Sequence, residues 1–177
     1  ARHAALVRVW DPFVRAFHWL LVAGFAVNYF ELVRSGKLPH QVIGYAVLAL
    51  VAARVAWGFA GSRHARFSDF VRRPSSVRQY LRDILAHRDR RHVGHNPAGG
   101  AMVLALMGIM ILVGLSGWLC TTDWFFGSDF MEGTHTLLTN LLLALVGVHI
   151  LGVIHASWRH RENLVLSMMT GLKRDDG

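Results

Sequence analysis

The chain has 177 residues, of which 53% are hydrophobic and 17% charged, with a formal charge of +8 and one cysteine. A single cysteine, Cys120, excludes an intramolecular disulfide, and the lack of a Cys-x-x-Cys-His run excludes a c-type haem attachment signal. A basic surplus in a soluble chain points to nucleic acid. The apolar runs here are too long for that reading, so nucleic acid is not an expected partner.

Residues 1–15 are mixed and polar, with Arg2, Arg8 and Arg15, and lack the apolar core of a signal peptide. Asp11-Pro12 reads as a helix start, Asp as the N-cap and Pro in the first turn. A first membrane span is expected from Phe13 to about Val33. It carries His18 and Trp19 and frays at Asn28, Glu31 and Arg34. A second is expected from His40 to about Ala60, with Gly44 and Arg54 inside it.

Residues 61–98 form a long basic connection with nine arginines. Within it Val77, Tyr80, Leu81, Ile84 and Leu85 recur at helical spacing, with Arg78, Arg82 and Asp83 opposite. Two readings stand for this amphipathic helix: it lies on anionic lipid, or it packs as an ordinary surface helix.

Asn96-Pro97 opens a third span, Ala98 to about Cys120, which has no charged residue. Its glycines, Gly99, Gly100, Gly108, Gly114 and Gly117, allow close helix approach or leave room for a flat cofactor. Residues 119–134 read as a loop with Asp123, Asp129 and Glu132 and the aromatics Trp124, Phe125, Phe126 and Phe130, which suit a membrane–water interface. The fourth span is expected from His135 to about Trp158. In the tail, Leu164, Val165, Met168 and Met169 fit a short interfacial helix.

Four spans place both termini on one side of the membrane. The segments on that side hold sixteen of the nineteen Lys and Arg, and the opposite connections hold only Arg34 and Lys37. By the positive-inside rule the termini and the long connection are cytoplasmic. The expected architecture is therefore an all-α transmembrane four-helix bundle, a single multi-pass integral-membrane domain over residues 1–177.

Eleven histidines are many for this length. Seven of them, His3, His64, His87, His92, His95, His155 and His160, lie near helix ends or in loops, and most read as solvated. The other four sort by depth. His135 and His149 are fourteen residues apart on one helix, about −40° net in angle and roughly 21 Å in rise. With the topology above, His40 and His135 lie at the outer level and His18 and His149 at the inner. Each pair comes from two helices, as bis-imidazole ligation of haem requires. His155 lies about 200° round from His135 and is the alternative inner ligand. A plainer account of all four is interhelical hydrogen bonding or proton relay. Zinc would leave a tetrahedral site unfilled at either level. Copper suits imidazole by ligand type, but six-coordinate iron fits two ligands better.

The run Trp10-Asp11-Pro12-Phe13-Val14-Arg15-Ala16-Phe17-His18-Trp19, His40 with Gly44 and Arg54, the stretch His135–His149 and the tail from Ser157 to Arg174 together resemble the bacterial cytochrome b561 family. That family includes the cytochrome b subunits of nickel–iron hydrogenases and resembles the formate dehydrogenase gamma subunit. The resemblance covers essentially the whole chain. It implies a four-helix membrane bundle with two b haems, ligated by His18 with His149 and by His40 with His135. Many members carry His-Glu where this chain has His135-Thr136.

The expected function is transmembrane electron transfer through two haems b. The two ends would meet the quinone pool and a periplasmic redox partner: a c-type cytochrome, or a dehydrogenase or hydrogenase subunit. The resemblance implies a quinone pocket near the inner haem, with His18, Trp19, His149, Arg15 and Arg54 as candidates. Loop Cys120–Thr134 with Arg34 and Lys37 is the expected docking surface. Two other readings stand beside it: a superoxide:quinone oxidoreductase, as some members of the family look like, and a haem-free membrane anchor or proton-relay protein.

Overall fold

The computed structural model describes residues 6–175. Arg2 and His3 lie outside the described residues. The chain is almost entirely helical, with a strand β1 (Leu6–Arg8), helices α1 (Pro12–Tyr29), α2 (Leu38–Ala60), α3 (Phe67–Phe70), α4 (Pro74–Leu85), α5 (Pro97–Leu119), α6 (Asp129–Arg159) and α7 (Leu164–Thr170), and a strand β2 (Leu172–Arg174). It divides into two compact units. One holds the described residues up to Arg15, Ala56–Leu104 and the described residues from Val148 on. The other holds Ala16–Val55 and Ala105–Gly147.

In the first unit β1 and β2 pair antiparallel, Leu6 with Arg174, Val7 with Lys173 and Arg8 with Leu172. Gly171 makes this pairing possible. It caps α7 at φ 84°, and its carbonyl accepts from the Val9 and Trp10 amides at 2.9 and 3.2 Å. A Cβ at this position would lie 2.6 Å from the Trp10 carbonyl oxygen, so both the backbone angle and the close approach demand glycine. Beneath the strands Val9, Trp10, Val14 and Ala65 form a buried cluster, flanked by Phe13, Trp57, Val93 and Met168.

Asp11 caps α1 as its position predicts: Oδ1 accepts from the Val14 amide at 2.9 Å. Its other oxygen accepts from Trp57 Nε1 and Ser62 Oγ, which fixes the start of α1 to the end of α2. α1 stops at Tyr29, short of the expected Val33. Glu31 turns into the left-handed region at φ 53°, the Leu32 amide reaches back to the Val27 carbonyl, and Asn28 Nδ2 donates to the His40 carbonyl at 3.0 Å.

Among the described residues three helices, α2, α5 and α6, are long and apolar enough to cross a membrane. α1 is not among them; Arg15, His18 and Asn28 lower its hydropathy. In the apolar window of α6 only 6% of the residues are buried inside the protein, and 11% in that of α5. Such surfaces would be far beyond what a water-soluble protein exposes and match lipid as the solvent.

α6 corrects the expected boundary of the fourth span. The residues from Asp129 to Thr134, read as loop, are helical: Ser128 opens the helix, its carbonyl accepting from the Glu132 amide at 3.0 Å. Asp129 and Glu132 are first-turn acids that suit the positive end of the helix dipole. His135 is thus nearly two turns into α6 rather than at its start.

Near the water-exposed end of α6 a belt of ion pairs ties the segment after α4 to the tail. Asp89, its side chain 2% exposed, takes Arg159 Nε at 3.2 Å and His160 Nε2 at 3.1 Å. Glu162 takes Arg91 at 2.8 Å and Lys173 at 3.4 Å. Burial works against ionisation of Glu162, but the Arg91 hydrogen bond, the Lys173 charge and the Arg174 amide outweigh it and hold the carboxyl below its usual range.

Candidate functional site

The second unit brings two of the candidate histidines together. His40, in the first turn of α2, and His135, on α6, have ring centres 6.4 Å apart with planes at 78°. A metal held between two imidazole nitrogens, each at about 2.0–2.1 Å, sets the ring centres about 6 Å apart once the ring half-widths are added. The observed separation fits that arrangement.

The surroundings of the pair fit it too. His135 Nδ1 lies 3.1 Å from the Val113 carbonyl and 3.0 Å from Ser116 Oγ, both on α5. The carbonyl can only accept, so Nδ1 carries the proton and donates. Nε2 is thereby left with its lone pair, the form a metal ligand takes. Gly117 makes room for the ring: a Cβ there would come within 3.0 Å of His135 Cε1. Gly44 follows His40 by four residues, on the same helix face, and nothing lies within 4 Å of where its Cβ would be. His40 Nδ1 is enclosed and has no hydrogen-bond partner among the described residues.

The donor set narrows the chemistry. Among the described residues no group of three or more His, Cys, Asp or Glu side chains is placed to hold a metal ion. Two opposed imidazoles suit a metal whose remaining positions are filled by a macrocycle.

The remaining candidates are placed as follows. His18 lies on α1 in the second unit, its ring edge-on to Trp19 at 4.9 Å. His149 lies on α6 in the first unit, half-buried. Arg54 is 2% exposed on α2. Arg15 Nη2 donates to the Met169 carbonyl, which employs it in holding the tail.

Several histidines expected to be solvated are not. His64 Nδ1 meets Asp69 at 3.1 Å, and His95 packs on Trp10 and Phe70 with ring centres 4.7 and 4.8 Å away. His160 is held by Asp89. His155 Nε2 is enclosed without a hydrogen-bond partner. His87 and His92 are exposed. The partners of His64, His95 and His160 lie outside any helical repeat of their own segment, so no local spacing announces them. Ser116 was not singled out from sequence; a lone hydroxyl beside Gly117 in a span without charge was the available signal.

Helices long and apolar enough to cross a membrane and two neighbouring imidazoles suit a membrane cytochrome of the b type, in which haem is held without covalent attachment. The match to known families is specific: residues 9–171 fit the model of prokaryotic cytochrome b561. The chain belongs to that family, and its role is electron transfer by haem b within a membrane. No curated protein and no solved structure matches it.

Proposed function

We propose that the protein carries electrons across a bacterial inner membrane through two b haems, linking the quinone pool to a redox partner on the periplasmic side. The observation that carries this reading is the His40–His135 opposition at 6.4 Å, with open space at Gly44. Haem supplies reversible one-electron chemistry when bound. The chain's part is to hold it: His40 and His135 ligate the outer one, and the Val113 carbonyl and Ser116 orient His135. His18 and His149 ligate the inner one, a pairing that rests on the depth sorting of the sequence. The enclosed Nε2 of His155 keeps that residue as the alternative inner ligand.

Strand pairing supports four crossings rather than three. β1 and β2 join residues 6–8 to 172–174, which supports placing both strands on one side of the membrane and an even number of crossings between them. With α2, α5 and α6 crossing, α1 is the fourth. Its 18 residues span about 27 Å, close to the roughly 30 Å hydrocarbon core. The lopsided distribution of arginine and lysine puts both termini in the cytoplasm. The exposed side chains of Trp124, Phe126 and Phe130, with Arg34 and Lys37, then face the periplasm and form the docking surface for a c-type cytochrome or a dehydrogenase or hydrogenase subunit.

A reduced-minus-oxidised absorbance spectrum with pyridine haemochrome counting tests this directly. Two haems b per chain, reducible by a quinol, are expected. A colourless purified protein would refute the haem reading, and coloured protein indifferent to quinols would refute the quinone link.

A further inference from the structure

We infer that α4 is a lipid-surface helix whose Leu81–Leu85 shoulder enters the interfacial layer while Arg78 and Arg82 bind the phosphates of anionic phospholipid. The inference rests on the placement of the chain in a membrane and is independent of the haem assignment.

The apolar face of α4 is split between two environments. At about 100° per residue, Tyr80, Ile84 and Val77 occupy one half of the face and Leu81 and Leu85 the other. Tyr80 is buried and Ile84 and Val77 are half-buried, so the first half packs on the protein. Leu81 is 47% exposed and Leu85 82%. A helix that needed only to pack on its own protein has no use for that second half.

The charges continue the same gradient. Going round the helix from Leu85, Arg78 and Arg82 come next, about 20° and 60° further on. Both are exposed, and among the described residues neither enters an ion pair. Asp83 lies on the far flank, where it accepts from Gln79 at 3.0 Å. Arginines bordering an exposed leucine edge place their stems along the acyl chains and their guanidinium groups at the phosphates. Arg72 and Arg73 are exposed just before Pro74 and no acid occupies the first turn of α4. Cations at that end oppose the helix dipole, which leaves an external anion to satisfy them.

Connectivity puts this edge at the right level. α4 lies between the end of α2 at Ala60 and the start of α5 at Pro97, two helices that cross the apolar layer. Residues 61–96 therefore remain on one side, starting and finishing at the headgroups. Phospholipid is the anion present at that level in high density.

The intact haem-loaded protein, in a Cys120→Ser background, is spin-labelled at Leu85→Cys or, as a control, at Leu112→Cys within α5. It is reconstituted into phosphatidylcholine vesicles with or without phosphatidylglycerol. Power-saturation EPR against oxygen and a nickel chelate then reads depth. The Leu85 label should become oxygen-accessible and nickel-protected when phosphatidylglycerol is present. Adding Arg78→Glu and Arg82→Glu should return it to the aqueous phase; each near-surface arginine carries roughly a fivefold bias towards an anionic membrane. The Leu112 label should stay deep in lipid throughout. A Leu85 label equally open to nickel in both vesicle types would overturn the inference, as would one shielded from both reagents by a second copy or a protein partner. A water-exposed Leu112 label would overturn the membrane placement itself, and the inference with it.

Discussion

The His135 ring occupies the space a side chain at Gly117 would need. A Cβ on Gly117 would stand 3.0 Å from Cε1 and 3.3 Å from Nδ1 of that ring. α5 thus shapes the site by what it leaves out, and it orients the same ring through the residue just before the glycine. Gly117→Leu should displace the imidazole and remove one of the two haems, as should His135→Ala. Pyridine haemochrome counting against protein concentration checks both, and full haem content in Gly117→Leu would separate the glycine from the site.

Ser116→Ala is expected to act more mildly. The Val113 carbonyl still receives the Nδ1 proton, so haem binds, but the ring loses one of two restraints. Outer-shell changes of this kind cost about 10–100-fold in affinity. Haem transfer to apomyoglobin should speed up accordingly, while Ser116→Thr should retain most of the wild-type rate.

At the inner level His149→Ala should remove the second haem and His155→Ala should not. If the two results are exchanged, the enclosed Nε2 of His155 is the ligand and the angular argument from His135 fails.

Gly171→Ala should lower stability without touching haem content in the folded fraction. The left-handed angle at φ 84° and the 2.6 Å approach to the Trp10 carbonyl together cost about 1–3 kcal/mol. The loss should appear in thermal unfolding of detergent-solubilised protein. An unchanged midpoint would mean that the β1–β2 pair contributes little.

Acid should weaken the water-exposed end first. Asp11 and Glu162 are both held below their ordinary values of 3.8 and 4.5: burial opposes ionisation, and hydrogen bonds from Ser62, Trp57 and the Val14 and Phe13 amides to Asp11, and from Arg91 to Glu162, prevail over it. A carboxyl lowered by folding stabilises the native state above its unfolded pKa, and that contribution fades as pH falls through the folded one. The carboxylate contribution to the unfolding midpoint should be lost below about pH 4. Asp11→Asn and Glu162→Gln should start lower at neutral pH and flatten the acid limb.

Elements set by local chemistry were legible in the amino-acid order. The apolar runs of α2, α5 and α6 exceed what a soluble helix needs. Asp11 caps α1, Asn96 opens α5 with Oδ1 accepting from the Gly99 amide at 2.7 Å, and the spacing of Val77 to Leu85 marks α4. Two boundaries differ from the local pattern, each for its own reason. Asp129 and Glu132 look like loop polarity, yet charge at a helix N-terminus is favourable; Val33 continues an apolar run, yet the Asn28 side chain and the turn at Glu31 end α1 first.

The sequence by itself determined that this chain carries helices long and apolar enough to cross a membrane and how α1 and α5 begin, because hydropathy and capping act along the chain. Only the tertiary structure decided the rest. It joined Leu6–Arg8 to Leu172–Arg174. It gave His64 and His95 partners within a connection that looks solvated, and set His160 after α6 against Asp89. It set His40 against His135 at 6.4 Å, with Gly117 and Ser116 shaping and holding the ring. Each of these depends on partners far apart in the chain, whose meeting is governed by packing and pairing across space that no local pattern encodes.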